Sequence, residues 1–395
     1  MNKFTKIILI FFVYLITYFT FFAFTNPTPD GDSLNYHIPI ASSYLSGSIL
    51  NPEKIDGIPF MKYSPGASEG ILAVLIILKI PIQLFNVLGI TFLFLVCLFL
   101  GKRMGLKNDL SIVFAVVITT LPVMLRWINM QIIDIWLAGF FTLSLLLLEA
   151  VKKKNSHYLA IGTSAGFLIG SKFSGPLYFL VLLIFYSKKI LKNFNLKLFV
   201  LFLIPFSLFG LVWYLRNLFY TGNPVYPESF IFFPKSGFEI LSTQVWEVSF
   251  TSVDGLKNFF NAGFGEYSVW FFSIFISLFI LFKTFKKRKF NKITKLILIG
   301  YSNFIIFLFL PSDNYFHIFV SVFRYTFPIY IPMILSIFLY AKEKGKEEYI
   351  YLITFVSLLT SPIYEYHPKV ILIVLPIALV IYFNIPDNDI KNTLK

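Results

Sequence analysis

Two carboxylates and three cations stand where an otherwise apolar chain could do chemistry. Asp32 opens the run Asp32-Ser33-Leu34-Asn35-Tyr36-His37-Ile38-Pro39, shortly after an apolar stretch over residues 7–25. A carboxylate at a membrane surface can serve as a general base, and at the start of a helix it can equally serve as an N-cap. Tyr36 lies one turn on, on the same helical face. Asp134 sits in Trp127-Ile128-Asn129-Met130-Gln131-Ile132-Ile133-Asp134-Ile135-Trp136, at the mouth of a second apolar run. An acid at the hydrocarbon edge is costly and points to function, although it also suits the positive end of a helix dipole. Only five of the 34 basic residues are Arg. Arg216 and Arg324, with Lys172, each fall at the end of an apolar run, where they can hold an anion or snorkel to the interface. A guanidinium grips two phosphate oxygens at once, whereas an ammonium is a point charge. His37 reads more readily as a hydrogen-bonding residue than as a metal ligand.

The elements that must position these groups are membrane helices. The 395-residue chain is 57% hydrophobic and 14% charged, with 50 Phe and 22 Tyr, against about 25% charged residues in soluble domains. No soluble domain or low-complexity linker interrupts it, so residues 1–395 read as a single polytopic domain. The lone Cys97 lies in an apolar run, which excludes an intramolecular disulfide. The expected fold is all-α and integral to the membrane, with about twelve transmembrane helices. Eleven apolar runs mark them: 7–25, 84–100, 110–125, 134–151, 158–186, 198–215, 269–282, 296–310, 327–340, 349–360 and 370–383. The first run is too long for a signal peptide's apolar core and lacks a small-residue cleavage site, so it reads as a retained crossing. The run 158–186 would span about 45 Å as one helix, too long for a ~30 Å core. Both its flanks are basic, which requires two crossings and a turn at residues 170–176.

Charge sets the orientation. With the intervening segments assigned to alternating sides, one side holds 24 Lys and Arg and the other 10, while the acids divide 7 to 13. The basic side is expected to be cytoplasmic, with both termini on it. The same asymmetry accounts for the net charge of +14 without a nucleic-acid partner. Two long outer loops follow, at 26–80 and 216–268. In the first, Leu34, Ile38, Ala41 and Leu45 recur at helical spacing, as in an amphipathic juxtamembrane helix. Residues 66–80, bounded by Pro65 and Pro81, read as a second interfacial helix. Asp32, Asp134, Lys172, Arg216 and Arg324 all fall on the outer side.

On that side the sequence resembles the GT-C-type membrane glycosyltransferases, relatives of the aminoarabinose transferase of lipid A and of protein O-mannosyltransferases. The Asp32–Pro39 run is similar to the family's D-S-x-x-Y-H-x-P segment. Tyr63-Ser64-Pro65-Gly66 resembles the segment before its second juxtamembrane helix, and Asp134 the acid that opens its fourth crossing. Gly170-Ser171-Lys172 resembles its "G-T-K" turn. Arg216-Asn217 with Gly222-Asn223-Pro224-Val225-Tyr226-Pro227 resembles its "R-N…G-N-P-x-Y-P" loop, and Phe323-Arg324-Tyr325 with Pro328 its late "R-Y-x-x-P" segment. One departure is plain: the family's paired acids are replaced here by Asp32-Ser33, with Asp30 across Gly31.

The resemblance implies transfer of a sugar from a polyprenyl-phosphate donor, on the outer face of the cell membrane, to a glycan, lipid or protein acceptor. Asp32 would be the base and Asp134 an orienting or second acid. Lys172, Arg216 and Arg324 would bind the donor phosphate, and Tyr36, His37 and Tyr325 the sugar or acceptor. The reading requires no cofactor and admits a divalent metal without indicating one. The expected partners are the lipid-linked donor, membrane lipids and the acceptor. Two other classes share the gross pattern: a transporter or lipid flippase, which places ionisable groups near the midplane, and an envelope polysaccharide polymerase or ligase.

Overall fold

The computed structural model describes residues 1–26, 30–227, 233, 243–286, 291–312, 322–363 and 367. Helices occupy every apolar run expected as a crossing within those residues; the last, at 370–383, lies outside them. Among the described residues, four helical stretches are long and apolar enough to cross a membrane: Lys3–Thr25, Ile82–Met104, Leu196–Thr221 and Val253–Phe285. The other expected crossings within those residues are shorter helices than these four. One departure from an all-α fold is a two-residue antiparallel ladder, Thr243 opposite Ser312 and Gln244 opposite Pro311.

Local chemistry explains the helix boundaries. Asn2 caps the first helix, its side chain accepting from the Thr5 amide at 2.8 Å. The run 158–186 divides as its flanking charges require. Helix Asn155–Ser171 ends before an extended Lys172, and helix Gly175–Lys192 restarts with Pro176 in its first turn. Pro205 cannot donate to the helical ladder, and the backbone widens into a π-helical turn at Ser207–Leu211 immediately after it.

The pair Asn155–Ser171 and Leu196–Leu211 packs through glycine. Gly162, Gly166 and Gly170 recur every four residues along one face. A Cβ on Gly162 would lie 2.1 Å from the Phe202 carbonyl oxygen, and one on Gly170 would lie 1.9 Å from that of Phe209. Only hydrogen at these positions lets the backbones approach so closely, as in small-residue membrane interfaces. The contact fixes the end of the helix at which Lys172 begins the turn.

The two long loops are more ordered than loops. In the first, Ser33–His37 is a π-helical turn continued by helix Ile38–Leu45. The wider turn rotates the expected apolar face: Ser33, His37, Ile40 and Ala41 are buried, whereas Leu34 and Leu45 are about half exposed. Helix Ala67–Ile77 follows, within the expected interfacial segment. The expected loop 216–268 begins later and is mostly helical where described. Arg216 lies inside helix Val212–Thr221, and helices Val245–Phe250 and Val253–Tyr267 fill its second half. The last continues through a 3-10 turn at Ser268–Phe272 into helix Ser273–Lys286.

Long-range contacts sort the helix ends into two sets. At one end, the Asn2 amide donates to Asp109, Lys107 pairs with Glu347, and Lys295 pairs with Glu149. At the other end, Asp32, Asp134, Lys172 and Arg324 meet one another. These two sets are the ones obtained by alternating the segments along the sequence.

Candidate functional site

Four segments distant in sequence build the polar cluster. Asp32 follows the first helix, Asp134 opens helix Asp134–Glu149, Lys172 stands in the turn between two helices, and Arg324 sits in a 3-10 turn at Phe323–Tyr325. That turn is clamped from both sides. Tyr178 donates to the Tyr325 carbonyl at 2.9 Å, and Thr326 shares a hydrogen bond with Tyr267 at 2.6 Å. Ser68 and Ser171 are hydrogen-bonded at 2.6 Å, tying the interfacial helix to the residue before Lys172.

Arg324 is the hub. Its Nη2 donates to Asp32 Oδ2 at 2.8 Å and to the Tyr325 hydroxyl at 3.2 Å, and its Nε lies 3.5 Å from Asp134 Oδ2. Lys172 donates to the other oxygen of Asp134 at 2.7 Å and stands 3.5 Å above the Tyr325 ring centroid. Asp134 and Arg324 form the floor, with side chains 3% and 9% exposed; Lys172 and Asp32 form the rim, at 23% and 39%. Burial is not a stabilising use of such charges, because desolvation offsets most of the Coulombic gain. A binding site gives a reason to keep them.

Asp32 does not cap its helix. Its backbone is already helical and its side chain accepts no capping bond. Asp30 does that work: Oδ1 accepts from the Asp32 amide at 2.8 Å, Oδ2 accepts from the Ser33 amide at 3.1 Å, and the Ser33 hydroxyl also donates to it. Ser33 Oγ in turn accepts from the Gln131 amide at 2.8 Å, joining the first loop to the segment before Asp134. The Asp32 carboxylate is thus left to Arg324 and the open rim.

Of the expected contacts, Tyr325 lies within the cluster. Burial alone would raise its phenol, but Arg324 and Lys172 outweigh burial and hold it below the usual tyrosine range. Tyr36 packs on His37 with ring centroids 3.9 Å apart, and burial raises its phenol well above the usual range. His37 is 2% exposed and its Nδ1 lies 2.8 Å from Glu69 Oε1, so it supports the site from beneath rather than lining it. Burial, then Lys172 and Arg324, hold the imidazole well below its ordinary range. Burial pushes the Glu69 carboxyl up to about 8, against a backbone hydrogen bond and the Lys172 charge. Both shifts favour the uncharged forms of the pair.

Arg216 is placed differently from the phosphate-binding expectation. It is 5% exposed and donates to the carbonyls of Ser64 at 3.1 Å and Ile49 at 3.4 Å, and to Asn217 Oδ1. Asn217 donates to the Tyr63 carbonyl at 2.9 Å. The two residues fasten the first long loop to helix Val212–Thr221. Sequence reasoning missed Glu69, whose signal was a lone acid in an apolar helix, and the pairing of Arg126 with buried Glu266. Among the described residues no group of three or more His, Cys, Asp or Glu is disposed to hold a metal ion. No protein-family model matches the sequence, and comparison with curated proteins and with solved structures returns no match.

Proposed function

We propose that this chain is a membrane-embedded glycosyltransferase that takes a sugar from a polyprenyl-phosphate donor at the rim formed by Asp32 and Lys172. The observation that carries the reading is the convergence of Asp32, Asp134, Lys172 and Arg324 from four distant segments onto one end of the helices. The resemblance of the first-loop run and the late Arg-Tyr segment to GT-C enzymes gives the same assignment. About twelve crossings with both termini cytoplasmic put this end on the outer face of the cell membrane.

The chemistry assigns a role to each group. The acceptor hydroxyl loses its proton to the Asp32 carboxylate as its oxygen bonds to the anomeric carbon. The bond from that carbon to the phosphate oxygen breaks, and its electron pair leaves with the lipid phosphate. Arg324 and Lys172 stabilise the charge that develops there. Asp134 holds both cations in place, and the Tyr325 ring lies beneath Lys172. Polar groups gathered at one end suit surface chemistry better than passage through the midplane, which favours transfer over transport.

Release of the lipid phosphate tests the reading whatever the acceptor. Purified protein in nanodiscs, given polyprenyl-phosphate hexoses and pentoses, is expected to liberate polyprenyl phosphate detectable by mass spectrometry. Release no faster than from an Asp32→Asn variant, across the sugars tried, would overturn it.

A further inference from the structure

At the opposite end of the helices from Asp32 lies a cavity of about 330 Å³. Its walls are Arg103, Ala150, Lys152, Lys154, Ser156, His157 and Ala160. We propose that this cavity binds the phosphate of an anionic membrane lipid, at a site separate from the transfer chemistry. Three permanent cations and a hydroxyl line it, and no carboxylate does. The nearest acid, Glu149, is already engaged. Its carboxylate lies 2.8 Å from Lys295, 3.9 Å from Lys189 and 4.0 Å from Lys292. The mutual repulsion of Arg103, Lys152 and Lys154 therefore has no protein counter-charge on the cavity wall.

The walls are also anchored. Arg103 Nη2 donates to the Glu149 carbonyl at 3.4 Å, and His157 Nε2 donates to the Leu147 carbonyl at 3.0 Å. The cavity is roughly ten times a single water's ~30 Å³ share of liquid volume. It sits between the end of helix Asp134–Glu149 and the start of helix Asn155–Ser171, whose N-cap Lys154 makes no side-chain capping bond. Basic pockets between helices on the cytoplasmic side are where acidic head groups bind. A free phosphate ion shares that chemistry, but these residues stand where apolar helices end, at the level of lipid head groups. The inference rests on membrane embedding and not on the transferase reading.

The test uses the full chain in detergent, titrated separately with phosphatidylglycerol, phosphatidylcholine and inorganic phosphate, with binding read by native mass spectrometry and by thermal shift. Phosphatidylglycerol is expected to bind and stabilise, and phosphatidylcholine is not. Each cation near an anionic surface is worth about a fivefold change in binding, so Lys152→Gln with Lys154→Gln should weaken it about 25-fold. Both lysines are exposed, so the double variant should fold. Lys153→Gln removes one charge from a neighbour outside the cavity wall and should bind as the parent does. Stabilisation by inorganic phosphate alone, lost in the double variant, would keep the site but reassign its ligand to a soluble phosphate. Equal binding by the double variant and Lys153→Gln, or no binding of either anion, would overturn the proposal.

Discussion

Arg324 donates to Asp32 at 2.8 Å across 292 positions of sequence. The same guanidinium lies 3.5 Å from Asp134, so one side chain holds both acids that the sequence marked out. The pairing orients the Asp32 carboxylate while leaving it at the rim. The chemistry of either acid is therefore inseparable from Arg324.

Asp32→Asn keeps the shape of the side chain and removes the carboxylate proposed as the base. We expect transfer to fall ~10²–10⁴-fold with the protein still folded. Asp30→Ala should do the reverse, lowering stability by about 1 kcal/mol through loss of the helix cap while leaving the reacting groups in place. Release of lipid phosphate and thermal unfolding, measured on both variants, separate the two roles. Full activity in Asp32→Asn would move the base to Asp134.

Arg324→Lys preserves charge but cannot hold Asp32, Asp134 and a donor phosphate together. A lost charge-assisted hydrogen bond of about 1.5–3 kcal/mol corresponds to roughly a ten- to hundredfold fall in kcat/KM. Insertion and melting temperature should change little. A variant as active as the parent would reduce Arg324 to a structural role.

Arg216→Ala is expected to act on stability. It leaves the partly buried carbonyls of Ile49 and Ser64 without their donor, at about 1 kcal/mol for each lost hydrogen bond. The melting temperature should drop, while KM for the donor in the folded fraction stays the same. A selective rise in KM would restore Arg216 to the phosphate site.

Glu69 makes stability depend on pH. Its carboxyl is raised from 4.5 to about 8 in the fold, so its contribution is fullest below pH 4.5 and is lost as pH rises towards 8. Glu69→Gln cannot ionise. The melting temperature of the variant relative to the parent should therefore increase steadily between pH 5 and pH 8. His37, whose pKa is lowered, contributes in the opposite sense, losing stability as pH falls below its ordinary range. A constant difference between Glu69→Gln and parent would show that Glu69 is not protonated at neutral pH.

Orientation can be read by labelling intact cells with an impermeant thiol reagent. Cys97 is fully buried, so the parent should be silent. Asp56→Cys in the first outer loop should label, and Lys153→Cys should label only after the membrane is opened. The opposite pattern would invert the topology.

Helix placement was legible because hydropathy and charge act locally. The division of 158–186 followed from basic residues at both ends, and Lys172 emerged in the turn they require. Other features depend on what lies opposite. Asp30 and Asp32 are equally good caps by type; backbone dihedrals decide between them. His37 and Glu69 are 32 residues apart, and only the packed fold makes them partners. The three Arg residues expected on the outer side serve different ends. Arg324 joins the acids, Arg126 pairs with Glu266, and Arg216 fastens a loop. The helix Val253–Tyr267 escaped notice because Asp254, Lys257 and Glu266 dilute its apolar signal.

The long reach from Asp32 to Arg324 also imposes a schedule. Synthesis at about 5–20 residues per second exposes the first acid roughly 15–60 seconds before its guanidinium exists. Once residue 172 has been made, Asp134 can meet Lys172, while Asp32 still awaits Arg324. A nascent chain halted before residue 322 should insert its earlier helices and release no lipid phosphate. The polar cluster is thus completed late in the life of each polypeptide, when the segment bearing Arg324 docks against the one that left the ribosome first.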